Sequence, residues 1–363
     1  MKYNMGLRQK IGFVLGLIAT SLTTGVSYAQ TDDKGLDNAV ILLYHHVAND
    51  TPASTSISPD SFAEHMEYLA NNHTVLGLPE VVSALREGET LPDRTVVITF
   101  DDGYENILTN AHPILKRHGF PYTIFINPNE IGSNRSQLSW EQVKTMQDDG
   151  VVFANHTLDH LHMLERTPGE SEKDWLKRVW TNVTEAEDIL EDKTGRSLKY
   201  LAFPFGEYNR ALADKVSQAG YVGFGQHSGG VSSESQFSAL PRFPAAGPYA
   251  NLKTLKTKLE SLAMPVSSYT PEDPMVTDRS EPPKVTFTVT SSDVDLNRAN
   301  CFFGGDTIAP RVDKMTATVT IDGALPVGRS RINCTAPSME HSGRYYWYSQ
   351  PFFVADSKGN YPD

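Results

Sequence analysis

From Val40 onward, short apolar runs alternate with longer segments in which apolar residues recur at helical spacing. The runs VILLYHHV (from Val40), TVLGL (from Thr74), VVITF (from Val96) and YTIFI (from Tyr122) are too short for helices. So are VVFAN (from Val151), YLAFPFG (from Tyr200) and YVGFG (from Tyr221). Their β-branched and aromatic content predicts strands. The segments between them predict helices. Ser58 and Pro59 open one, as a capping side chain followed by a residue whose φ is already helical. PEVVSALREG stops at Gly88, and ILTNAHPILKRHG stops at Gly119. Ser139 caps SWEQVKTMQDDG, a charged helix runs from about Ser171 to Lys193, and RALADKVSQAG follows Asn209. Strand and helix in alternation imply a parallel sheet with helices outside it. About seven such units favour a distorted (β/α) barrel over an open sheet.

The rhythm stops near Leu262. MPVSSYTPEDPMVTDRSEPP carries five prolines and no periodicity, which predicts a linker over 263–283. From Lys284 to Asp363, KVTFTVTSS, KMTATVTID, RSRINCTA and RYYWYSQPFFV alternate with period two and predict an all-β sandwich. At the other end, Lys2, Arg8 and Lys10 precede the apolar stretch IGFVLGLIATSLTTGV and the small-residue step Ser27–Ala29. This predicts a signal peptide over 1–29, cut before Gln30, with the barrel over 30–262. The apolar stretch is short for a spanning helix, so no membrane span is expected after cleavage, and the protein is expected to be exported, periplasmic or secreted.

Export changes how charge and cysteines read. The net charge is −12 and would become −15 once Lys2, Arg8 and Lys10 leave, which disfavours nucleic acid as a partner. Cys301 and Cys334 are the only cysteines, and an oxidising compartment predicts a disulfide between them. Closing that loop is worth roughly 3–4 kcal/mol in the chain-entropy model. The bridge is expected to join the two faces of the sandwich.

The chemistry gathers at predicted strand ends. VVITF delivers Asp101 and Asp102 side by side, and VVFAN delivers His156 and His160 within NHTLDH. In a β/α barrel both would lie at the C-terminal face. If NHTLDH turns helically, spacing of four places both imidazoles on one side. Two histidines and one aspartate form an open zinc-type ligand set, and a neighbouring carboxylate can serve as general base. Bound cation would also relieve the repulsion between the paired aspartates.

TFDDG (Thr99–Gly103) followed by HTLDH (His156–His160) resembles the polysaccharide deacetylase, or NodB-homology, family of carbohydrate esterases. The resemblance covers about Ala39 to Leu262 and implies the same distorted barrel. It implies Asp101 as general base and Asp102, His156 and His160 as ligands of Zn2+ or another divalent metal. AFPFG (Ala202–Gly206) matches a third motif and implies that the backbone N–H of Phe205, after Pro204, helps hold the oxyanion. The chain departs from the family pattern twice. Ala202 stands where the family often has an arginine, and the late histidine that supplies the acid is missing. LLYHHV resembles a circularly rearranged branch that includes exported poly-β-1,6-N-acetylglucosamine deacetylases of biofilms. That likeness implies His45 as the acid, at the Tyr44-His45 step. Arg242 is a candidate replacement for the missing arginine on its basic character alone. Tyr44, His46 and Pro204 are candidate substrate contacts beside these motifs, and Trp140 is a candidate sugar shelf or a core side chain.

The expected activity is removal of N-acetyl groups from an N-acetylglucosamine polymer, with the biofilm polymer first. Chitin oligosaccharides, peptidoglycan, and a non-catalytic sugar-binding role are the alternatives. Tyr346 and Tyr348 would either stack on sugar rings or fill the sandwich core. All proposed catalytic residues precede the linker, so the β-domain is expected to be dispensable for chemistry.

Overall fold

The computed structural model describes residues 35–362, and the expected signal peptide lies outside the described residues. Six parallel strands run β1 (Ala39–Tyr44), β2 (Thr95–Phe100), β3 (Thr123–Ile126), β4 (Val152–Asn155), β5 (Tyr200–Ala202) and β6 (Val222–Phe224), adjacent in that order. Helices α1 (Pro59–Asn72), α2 (Leu78–Glu87), α3 (His112–His118), α4 (Trp140–Asp148), α5 (Glu172–Thr194) and α6 (Arg210–Gln218) lie between them in sequence, and α7 (Leu252–Leu259) follows. The sheet curls. Leu240 bridges to Phe224 and Phe243–Pro244 pairs with β1, so the segment after β6 links the two edges. TVLGL yields a strand only at Thr74–Val75, because Leu78 already begins α2.

Side-chain alternation divides the sheet into two faces. Val40, Leu42 and Tyr44 face the same cluster as Phe62 and Met66 of α1. Ala39 and Ile41 instead join Val97, Phe125, Ala154 and Phe224 inside the curl. Each such apolar side chain is worth about 1.5–3 kcal/mol when fully buried. Register matters as much as burial. Tyr44 pairs with Phe100, Ile126 with Asn155, and Asn155 with Leu201. His45, Asp101 and His156 therefore leave the sheet at one level.

The second domain contains β7 (Val266–Thr270), β8 (Lys284–Val289), β9 (Asn300–Phe303), β10 (Thr316–Thr320), β11 (Gly328–Pro337) and β12 (Tyr345–Val354). One sheet holds β7, β8 and β10 with Arg311–Asp313, and the other holds β12, β11 and β9 with Leu262–Ala263 and Asp306–Ile308. Phe287, Val319, Ile332 and Phe352 fill the space between. Two expectations need correction. Val266–Thr270 is an antiparallel partner of β8 rather than linker. Its two serines weaken the alternation, and the flanking prolines hide it. The disulfide forms, but Cys301 and Cys334 sit directly opposite on β9 and β11 of one sheet, so it staples neighbours and not the two faces. Nor do the domains stand apart. Tyr346, Tyr348 and Phe352 of β12 point into the sandwich, while Trp347 meets Phe243 and Phe353 meets Tyr208 of the barrel.

Candidate active site

Asp101 and Asp102 follow β2 but diverge at once. Asp102 and Gly103 both take left-handed backbone, with φ of 73° each. A Cβ on Gly103 would stand 2.9 Å from the Ile126 side chain, so the turn needs glycine there for space as well as conformation. The turn sends Asp102 to the cleft and leaves Asp101 buried beside it, against Arg242.

Asp102 Oδ1 lies 3.2 Å from His156 Nε2 and 3.3 Å from His160 Nε2. Neither Asp102 Oδ1 nor His156 Nε2 has a hydrogen-bond partner among the described residues. Buried polar atoms are rarely left so, and three converging ligand atoms suit a divalent cation. His156 Nδ1 is 2.8 Å from the Ala202 carbonyl. That contact fixes the tautomer, with Nδ1–H donating and Nε2 left as the ligand atom. The HTLDH segment is not helical. Thr157 and His160 have φ of 66° and 53°, and this loop, rather than helical spacing, turns both imidazoles to Asp102. Asn155 Oδ1 accepts from Thr157 N–H, Asn182 Oδ1 accepts from Leu158 N–H, and Asn127 donates to the carbonyls of His156 and Thr157. The strained loop is thus tied down from β4, α5 and the end of β3.

Asp101 is fully buried, with each carboxylate oxygen 2.7 Å from a different Arg242 nitrogen. Arg242 also donates to the Gly225 carbonyl at 3.0 Å and lies over the Phe125 ring. Burial opposes ionisation of Asp101, but the Arg242 guanidinium outweighs it and holds the carboxyl below its usual range. Arg242 reaches Asp101 and not the cleft, so any part it takes in the chemistry is one of positioning.

His45 lines a cleft of about 700 Å³ together with Asp102, His160 and Phe205. Burial pushes its imidazole below the usual value, and the charges of Asp102 and Asp101 offset only part of that. Tyr44 and His46 do not reach that space. Tyr44 has the opposite parity on β1, and its hydroxyl meets His65 Nδ1 at 3.0 Å. His46 is buried, stacked on Tyr104 with ring centroids 3.6 Å apart, so it backs the cleft wall. Trp140 begins α4 and packs against the barrel core, and Pro204 is buried under its own turn. Tyr44, His46 and Pro204 are therefore supports and not contacts, and Trp140 follows the core alternative.

Phe205 has φ of 58° and is held on several sides. His162 stacks on its ring at 3.9 Å, His160 meets it edge-on at 4.6 Å, and Arg329 of β11 donates to its carbonyl at 2.7 Å. His162 in turn pairs with the buried Glu207 at 3.1 Å. Arg329, Ser330, Arg331 and Phe353 of the second domain line the cleft, as do Tyr104, Gln226 and His227. Sequence reasoning missed the β11 residues because they sit in an ordinary alternating strand far beyond the motifs. The expectation of a dispensable β-domain meets a geometric objection here, since β11 forms one wall.

Residues 88–224 match the family model described as polysaccharide deacetylase. The chain is similar to a poly-β-1,6-N-acetyl-D-glucosamine N-deacetylase of Staphylococcus aureus, at 28% identity over 194 residues, covering 52% of this chain and 67% of the relative. The Streptococcus pyogenes deacetylase PplD, solved with acetate, superposes with a TM-score of 0.54 at 23% identity, covering 61% of this chain and 98% of that one. IcaB from Ammonifex degensii gives 0.51 at 22% identity, over 60% and 96%. These structures share the barrel fold, and the matched residues contain the DDG and HTLDH motifs. Residues 88–224 therefore carry a polysaccharide deacetylase domain of the NodB type.

Proposed function

We propose that this chain is an exported, metal-dependent hydrolase that removes N-acetyl groups from N-acetylglucosamine residues of a poly-β-1,6-linked biofilm polymer. The observation that carries the reading is the pairing at one barrel end. Asp102, His156 and His160 turn ligand atoms toward one another, those of Asp102 and His156 without a hydrogen-bond partner, and an Arg242-paired carboxylate stands beside them. The name of the staphylococcal relative supports the polymer. Export rests on the sequence of residues 1–29. Among the described residues, no helix is long and apolar enough to cross a membrane.

Asp102, His156 and His160 would hold the metal, with zinc the first choice for such a donor set. When bound, a divalent cation would polarise the acetamide carbonyl and lower the pKa of water toward ~7. The protein's own groups do the rest. Asp101, kept ionised by Arg242, takes the proton of the attacking water. His45 faces the same cleft and gives a proton to the departing nitrogen. The Phe205 N–H donates to the developing oxyanion. Each acid or base is worth roughly 10²–10⁴-fold, and an oxyanion donor roughly 10²–10³-fold.

The test is acetate release from poly-β-1,6-N-acetylglucosamine, chitin oligosaccharides and peptidoglycan, side by side. Release chiefly from the first supports the reading. Release chiefly from another polymer moves the substrate, and binding without release supports the adhesion alternative.

A further inference from the structure

The cleft holds a charge that the reaction itself does not use. Arg331 of β11 is half-buried, and its one hydrogen bond among the described residues is from Nη2 to the Tyr249 hydroxyl, at 3.1 Å. No carboxylate lies within ion-pair distance of it among those residues, and its buried Nε has no partner. Its guanidinium stands 5.6 Å from the centre of the Tyr249 ring, and Lys258 Nζ stands 4.5 Å from the same ring. Arg329 lies on the same wall but is engaged with the Phe205 carbonyl and ring, which leaves the cleft charge to Arg331. Asp102 is the one carboxylate among the described residues lining the cleft, and it is assigned to the metal. A chain of net charge −12 thus presents the Arg331 cation on the wall of its active site. The field is felt by other bases. Burial and then Arg331 push His227 down to about 3 and Lys258 down to about 8.

Every turnover of the proposed reaction converts a neutral acetamide into a primary amine that is protonated at neutral pH. That product carries the same sign as Arg331. We propose that Arg331, supplied by the second domain, makes the subsite beside the scissile acetamide accept a neutral N-acetylated sugar and reject an already deacetylated one. Deacetylation is then spaced along the polymer instead of running through adjacent residues. The inference rests on the proposed activity and deepens it. It assigns the β-domain a role in where the enzyme cuts, distinct from the chemistry itself.

The experiment uses the full-length, zinc-loaded protein and a β-1,6-linked N-acetylglucosamine pentasaccharide, either fully acetylated or carrying one glucosamine. Acetate release is timed, and products are sequenced by mass spectrometry. Acetamides adjacent to the glucosamine should react roughly tenfold more slowly than distant ones, the order expected for two like unit charges about 4 Å apart in a largely water-filled cleft. The ratio should shrink in 1 M salt, where the Debye length falls to about 3 Å. Arg331→Gln and Arg331→Ala should bring it within roughly threefold of unity, whereas Arg331→Lys, which keeps the charge, should retain it. Melting curves and metal content identify any variant that has lost its fold, and the salt series on unmodified protein decides without them. A wild-type ratio near one overturns the inference, and so does a ratio that neither salt nor charge removal changes. Absence of acetate release from any oligosaccharide overturns the proposed activity, and the inference falls with it.

Discussion

Arg242→Met offers a sharp test of how the site keeps its base ionised. Both side chains of the Asp101–Arg242 pair are fully buried, and both contacts are 2.7 Å. Methionine fills much of the space but leaves Asp101 a buried carboxylate without its cation. Removing one partner of a buried pair costs about 3–5 kcal/mol. Loss of a cation at this range raises an aspartate pKa by about 1–3 units, and burial then pushes the same way. In the wild type, the folded carboxyl lies below its unfolded value. The pair's contribution to stability is therefore complete above the unfolded value of ~3.9 and disappears as pH falls through the lower, folded one. In Arg242→Met the sign reverses, and stability declines as pH rises through the raised, folded value. The assay is acetate release against pH for both zinc-loaded proteins, with a melting curve at each pH. The acid limb of kcat/KM should move up by about 1–3 units. Arg242→Met/Asp101→Asn should recover much of the lost stability and none of the turnover. A uniform fall in rate with the acid limb unmoved would refute the argument that Arg242 acts through the ionisation of Asp101.

Further tests separate the remaining roles. Asp101→Asn should keep the metal, lose roughly 10²–10⁴-fold in turnover, and melt earlier because Arg242 loses its counter-charge. Asp102→Asn should weaken metal binding as well, and equal metal loss in the two variants contradicts the division. His45→Ala should cut turnover by roughly 10²–10⁴-fold at unchanged metal content, with a smaller effect from His46→Ala, which touches Tyr104 and Asn106 behind the cleft wall. The reverse order would move the acid to His46. Arg329→Ala should lower kcat by about tenfold or more with little change in KM, since it releases the Phe205 peptide and no part of the substrate. An unchanged kcat would show that the barrel holds Phe205 unaided.

How much of this was legible in the chain differs by residue. The DDG and HTLDH motifs were visible because each follows an apolar run, and parallel register alone brings such ends level. The His156–His160 geometry was not, because two left-handed residues replace the helix that the spacing invites. Arg242 stood out only as a basic residue after β6. Its bond to Asp101 depends on the curl of the sheet, across 141 positions of sequence. The misplacement of Tyr44 has a simpler cause. Period two, carried one residue past β1, sends His45 and Tyr44 to opposite faces, so they do not share the cleft. The β11 wall was invisible, since alternation predicts a strand but not which surface it will cover.

The central claim is that Asp102, His156 and His160 bind a catalytic divalent metal for N-deacetylation of a β-1,6-linked polymer. Its most direct test is a single titration. The purified protein is stripped with chelator, mixed with poly-β-1,6-N-acetylglucosamine, and assayed for acetate as zinc is added back. The account predicts no release from the stripped protein and recovery that saturates near one equivalent of zinc, with Asp102→Ala failing to saturate there. Full acetate release from protein shown by elemental analysis to be metal-free would contradict it.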